Sequence, residues 1–205
     1  KFKDRGLDAL LILILFGAAY FRLVGMDWGE EQYLHPDERF LVWVGTDISP
    51  VASLSEYFDT ANSSLNPHNR GHGFFVYGTL PMFIARYLVE WIFGHSGFNE
   101  MTLVGRPLSA LADLGTLVLV YLIAKRLYNK PVGILASAFY ALAVLPIQLS
   151  HFFKEDTFLN FFVLLAVFFA VKIYDTPWER PHPLMEIEQA EETETEAGNT
   201  GETRL

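Results

Sequence analysis

Five apolar blocks dominate the chain, at roughly 7–26, 74–94, 105–124, 131–149 and 157–174. Each approaches the ~20 residues a helix needs to cross a bilayer. A segment in lipid must satisfy its own backbone, and a helix does so within itself. The expected fold class is therefore all-α: a polytopic membrane protein with four or five transmembrane helices and a large outward loop. Segment 1–21 also has the make-up of a secretory signal, with Lys1, Lys3 and Arg5 before the apolar run Leu10–Ala19. The blocks that follow favour a retained helix.

Segment 27–73 is different. It is polar, carries eight acids against two bases, and reads as a water-facing loop with short helices around 37–46 and 50–60. Residues 176–205 hold eight acids and two bases, begin with Pro177 and Pro181, and become rich in Glu and Thr. Such a composition cannot bury enough apolar surface to order itself, so a disordered acidic tail is expected. The predicted organisation is a transmembrane module at 1–175 and a tail at 176–205. The net charge of −9 is mostly that tail, and no basic stripe exists. Nucleic acid is thereby excluded as a partner. The chain has no Cys, hence no disulfide framework and no thiolate metal site.

Basic residues set the orientation. Lys1, Lys3 and Arg5 precede the first block, Lys125, Arg126 and Lys130 lie between the third and fourth, and Lys172 closes the last. The positive-inside rule places all three groups in the cytoplasm, and both termini with them. The loop 27–73 then faces outward. For Asp156 to face outward too, one of the three blocks between it and Asp37 must fail to cross. Block 74–94, with Pro81, Arg86 and Glu90, suits an interfacial or re-entrant helix. If it crossed instead, the turn 125–130 would lie outside and the two acidic groups would be separated.

Those acidic groups carry the chemical interest. Asp37 and Glu38 follow His35 and Pro36. Either they are favoured by a helix N-terminus, or one is a general base just above the bilayer. His151, Lys154, Glu155 and Asp156 fall within six positions at the next outward boundary. Lys154 either snorkels or binds a carboxylate or phosphate. Arg106 is an interfacial anchor or a phosphate ligand. Asp113, inside a block, requires a partner or a wet cavity. Asn69, Arg70 and His72 form either a polar cover or a turn. No spacing marks a metal site, although His35 and His151 with Asp37 and Asp156 have the donors for a divalent ion.

These motifs resemble the N-terminal part of a GT-C superfamily membrane glycosyltransferase, in the protein O-mannosyltransferase and aminoarabinose transferase branch (glycosyltransferase family 39). The resemblance rests on His35-Pro36-Asp37-Glu38-Arg39-Phe40, on Gly105-Arg106-Pro107-Leu108-Ser109-Ala110, and on the run from Gln148 to Thr157. It covers about 1–175. It implies inverting transfer of a sugar from a polyprenyl-phosphate carrier to an acceptor outside the cytoplasm. Catalytic roles fall on Asp37, Glu38 and Asp156, and substrate binding on Lys154, Arg106, Glu155 and His151. The implied partners are membrane lipid, the lipid-linked sugar and further transmembrane subunits; no cofactor is assigned. Family members have many more spans, so a module needing partner helices is expected. The alternative is a non-catalytic subunit of a larger membrane complex. A transporter element fits less well, since Asp113 is the main polar group within the spans.

Overall fold

The computed structural model describes residues 2–29 and 32–174; their regular structure is all helical, with no strand among them. Three helices are long and apolar enough to cross a membrane: α1 (Phe2–Leu23), α5 (Phe98–Leu127) and α8 (Glu155–Tyr174). The pair α6 (Lys130–Leu142) and α7 (Val144–Ser150), bent by 59° where they join, adds a fourth crossing if it is one broken span rather than a re-entrant loop. The chain is thus an all-α polytopic membrane protein with three or four spans. At 1.5 Å per residue, the 30 residues of α5 reach about 45 Å, beyond a ~30 Å hydrocarbon core. Block 74–94 becomes α4 (Thr79–Phe93), whose 15 residues reach only about 22 Å.

The bend between α6 and α7 has a local cause. Pro146 lacks an N–H and is tolerated only in a first helical turn. The chain therefore breaks at Ala143, which is extended (φ −67°, ψ 125°), and restarts at Val144. Breaking a helix in lipid leaves carbonyls unpaired, a costly state. Arg22, fully buried in the last turn of α1, donates to Ala141 O at 3.1 Å and Tyr140 O at 3.3 Å. At the other end of the bundle, Lys130 pairs with Asp8 at 2.6 Å and ties the start of α6 to the start of α1.

The polar segment builds a second layer at the Arg22 end. It holds α2 (Pro36–Asp47), α3 (Leu54–Phe58) and a 3₁₀ turn, Pro67–Arg70. The two short helices expected around 37–46 and 50–60 are α2 and α3. Pro36 occupies the first turn of α2, and the His35 ring accepts from Asp37 N–H at 3.2 Å. Val42, Val44 and Ile48 pack on Met82, Ala85 and Val89 of α4 and on Met101 of α5. The opposite stripe of α4, Leu80, Ile84, Tyr87 and Trp91, stays exposed.

The chain divides into two units, residues 1–171 and 172–205. The second contributes only the last residues of α8 to the described structure. The expected tail, 176–205, lies outside the described residues.

Candidate functional site

Successive helical residues point about 100° apart, so Asp37 and Glu38 at the start of α2 face different surroundings. Asp37 faces the segment between α7 and α8. Lys154 Nζ donates to its Oδ2 at 3.3 Å and meets Asp156 Oδ2 at 2.5 Å. One ammonium therefore bridges both acidic groups, and the two carboxylate oxygens lie within about 6 Å of each other. The Lys154 side chain is 10% exposed, while Asp37 and Asp156 are 38% and 41% exposed. Burial alone lowers the Lys154 pKa, but Asp156 and Asp37 outweigh it and hold the group above its ordinary value. Glu155, partly buried beside them, has one carboxylate oxygen, Oε2, without a hydrogen-bond partner.

Glu38 turns inward and is 0% exposed. Its carboxylate takes a fork from Arg106, Nε to Oε1 at 2.8 Å and Nη2 to Oε2 at 2.9 Å. It also accepts the Phe153 N–H at 2.8 Å. Arg106 Nη1 donates to Met26 O at 2.6 Å and Trp28 O at 3.1 Å, and the guanidinium lies 5.0 Å from the Trp28 ring centroid. Gly105 makes this possible: a Cβ there would clash with the Phe153 ring at Cγ. The Gly-Arg pair of α5 thus seats Phe153 and holds Glu38, which fixes the start of α2 against Lys154.

This geometry shows how three of the candidate residues are engaged. Glu38 is buried and accepts from three donors. Arg106 has four of its five N–H donors committed within the protein. His151 is likewise engaged within the protein. Its ring nitrogens meet Ile147 O at 2.8 Å and Val24 O at 3.0 Å, and its carbonyl accepts from Trp28 Nε1 at 3.0 Å. It fastens the end of α7 to the segment after α1. His35 caps α2, and its ring lies tilted against Phe152 with centroids 4.6 Å apart. Among the described residues no group of three or more His, Asp or Glu is arranged to hold a metal ion; the cation between the carboxylates is Lys154.

Asn69, Arg70 and His72 brace the loop. Asn69 donates to Thr60 O and Ser63 O, Arg70 to Ser64 O, and His72 pairs with Asp47 at 2.8 Å. Asp113 finds the partner it required: Arg22 Nε at 2.5 Å, with the Tyr140 hydroxyl at 2.6 Å. Sequence reasoning missed Arg22, although a base in the last turn of an apolar helix was a visible signal. It also missed Tyr77, whose ring packs against Phe40 at 6.0 Å and Phe75 at 5.9 Å. Its phenol is pushed up by burial and by the charge of Asp37.

Residues 81–180 match the sequence model of the dolichyl-phosphate-mannose-protein mannosyltransferase family. The chain is thus similar to membrane glycosyltransferases of the GT-C type over α4 to α8. The matched stretch contains Arg106 and the Lys154–Asp156 cluster; Asp37 and Glu38 precede it. No curated protein and no solved structure matches the chain.

Proposed function

We propose that the chain is the N-terminal module of a glycosyltransferase that moves a sugar from a polyprenyl-phosphate carrier to an acceptor on the non-cytoplasmic face. The observation that carries this reading is the single ammonium of Lys154 held between Asp37 and Asp156. Two carboxylates and a cation at the mouth of a membrane bundle are what this transfer requires. Asp37 takes the proton of the acceptor hydroxyl. The acceptor oxygen bonds to the anomeric carbon from the face opposite the phosphate, so the configuration inverts. The bond from that carbon to the phosphate oxygen breaks, and its electron pair stays on the phosphate. Lys154 stabilises that charge, as a preorganised cation does. Asp156 orients Lys154 and the acceptor, and Glu155 lies beside them as a substrate ligand.

Basic residues at the starts of α1 and α6, which meet through Asp8 and Lys130, support a cytoplasmic location for that end, with the acidic site outside. The exposed apolar stripe of α4 suits the interface between headgroups and acyl chains.

Asp37→Asn and Asp156→Asn test the reading in membranes that contain the whole assembly. Each keeps shape and removes a charge. Asp37→Asn is expected to lower transfer about 100-fold or more while the protein accumulates normally. Transfer at the wild-type rate in both variants would exclude the site.

One observation favours helices beyond those described. The apolar window of α8 is only 6% buried, and Phe162, Val163, Val167 and Phe169 are exposed. We infer a module that packs α8 against partner helices. Purification of the chain as a stable complex without transferase activity would replace the catalytic reading by that of an accessory subunit.

A further inference from the structure

We propose that the crevice between α5, the bent α6–α7 pair and α8 binds the hydroxyl-bearing head of a neutral lipid, anchored by the Asn160 amide. No side chain of the Asp37–Lys154–Asp156 cluster takes part, so the site is separate from the proposed transfer.

Asn160 lies five residues into α8, about 8 Å along a span. It is exposed, and its amide makes no hydrogen bond with the described residues. A polar side chain in a membrane span is costly unless it meets a partner or a polar cavity. Asn160 lines a cavity of about 220 Å³ together with Asp113 and Thr116 of α5, Tyr140 of α6, Leu145 of α7 and Thr157 of α8. Thr157 and Asn160 are three residues apart and so share one face of α8. Leu145 is 63% exposed, so the rim opens toward lipid.

The groups on the wall select the ligand. The Tyr140 hydroxyl donates to Asp113 Oδ1 at 2.6 Å, Thr116 Oγ1 to Ala112 O at 3.1 Å, and Thr157 Oγ1 to Lys154 O at 3.4 Å. Their protons are spent, and each oxygen keeps a lone pair. Arg22 Nε, 2.5 Å from Asp113 Oδ2, neutralises the carboxylate. The crevice therefore offers several acceptors, one donating amide and no net charge. A phosphate or carboxylate finds too few donors there, and an ammonium finds no uncompensated acid. A neutral group with hydroxyls fits, because it donates to the lone pairs and both gives to and takes from the amide. The volume suits a glycerol-sized head, below the roughly 300–1,000 Å³ of pockets that enclose a whole small molecule. The acyl chain stays in the bilayer. A partner helix, about 10 Å across, is too wide to enter and can only cover the mouth.

The test measures binding to the full chain in detergent micelles. The probes are 1-monooleoylglycerol and methyl oleate, which has the same acyl chain and no hydroxyl. The wild type is expected to bind the glyceride about 5-fold or more tightly than the ester. Asn160→Leu removes an amide that nothing in the protein satisfies. Its thermal midpoint is expected to hold, while glyceride binding falls about 3- to 10-fold. Leu145→Trp fills the rim without touching a polar group and is expected to weaken the glyceride as well. Equal binding of the two probes by the wild type overturns the inference, since only unspecific lipid contact then remains. Wild-type glyceride binding in both variants overturns it too. If Asn160→Leu instead turns an oligomer into a monomer with glyceride binding unchanged, the amide belongs to a helix–helix contact and the lipid site is refuted.

Discussion

Asp37 and Glu38 are neighbours in sequence with opposite environments, and the difference decides what each can do. Asp37 is partly exposed and meets one flexible ammonium, so a substrate can displace that contact. Glu38 sits in a dry pocket with a bidentate arginine and a backbone N–H. Removing one partner of a buried pair leaves an uncompensated charge, which costs several kcal/mol. Glu38→Gln is therefore expected to lower stability by about 3 kcal/mol, read from unfolding in a fixed detergent. The double variant Glu38→Met with Arg106→Met should recover most of the loss, because neither charge is then left alone. Unchanged stability in Glu38→Gln would refute the positioning role. At this scale the sequence made the cost of boundary carboxylates legible, and with it Asp37, Lys154 and Asp156 as candidates. It did not reveal which acid of each pair turns inward. That depends on helix phase against partners far along the chain, Arg106 and Phe153. For the same reason the internal contacts of Arg106 and His151 were hidden: side chains that fasten one segment to another carry the same groups as side chains that bind substrate.

Among the elements, α5 does most to position the site, and its Gly105-Arg106 pair shows how. The ring of Phe153 rests on the α5 backbone at Gly105, which brings the Phe153 N–H to Glu38 and sets Lys154 one residue on. A methyl group at Gly105 must displace that ring. Gly105→Ala is expected to cost about 1–3 kcal/mol through overpacking, and to lower transfer as the Lys154 segment shifts from Asp37. Gly17→Ala is the matched control, since nothing lies within 4 Å of its added Cβ. A midpoint for Gly105→Ala equal to that of Gly17→Ala would disprove the seating role. Hydropathy alone located α1, α5 and α8 well, because length and apolarity define such helices. The bend at Ala143 was hidden in an apolar block read as continuous. Its signal was Pro146, and the group that makes it tolerable, Arg22, lies more than a hundred residues away.

The arrangement of the whole bundle turns on whether α4 crosses the bilayer. Basic residues near the start of α1 and in the α5–α6 turn require the same side for both, and the structure brings the two places together through Asp8 and Lys130 at 2.6 Å. If α4 crossed, the start of α1 and the start of α6 would lie on opposite faces, about 30 Å apart. An ion pair of that length fits an α4 that stays on one face. The short α4 agrees, since 15 helical residues fall below what a span needs. The parity of crossings read from charge therefore has a physical counterpart in one contact at one end of the bundle and the Asp37–Lys154–Asp156 bridge at the other. A chain without Cys makes the topology directly measurable with single introduced thiols. Thr60→Cys reports the loop before α4, and Tyr128→Cys the exposed turn between α5 and α6. A membrane-impermeant maleimide should label Thr60→Cys in intact cells and Tyr128→Cys only after permeabilisation. Labelling of both from the same side would mean that α4 crosses. The Asp8–Lys130 pair could not then form, and Asp37 and Asp156 would not share a membrane face.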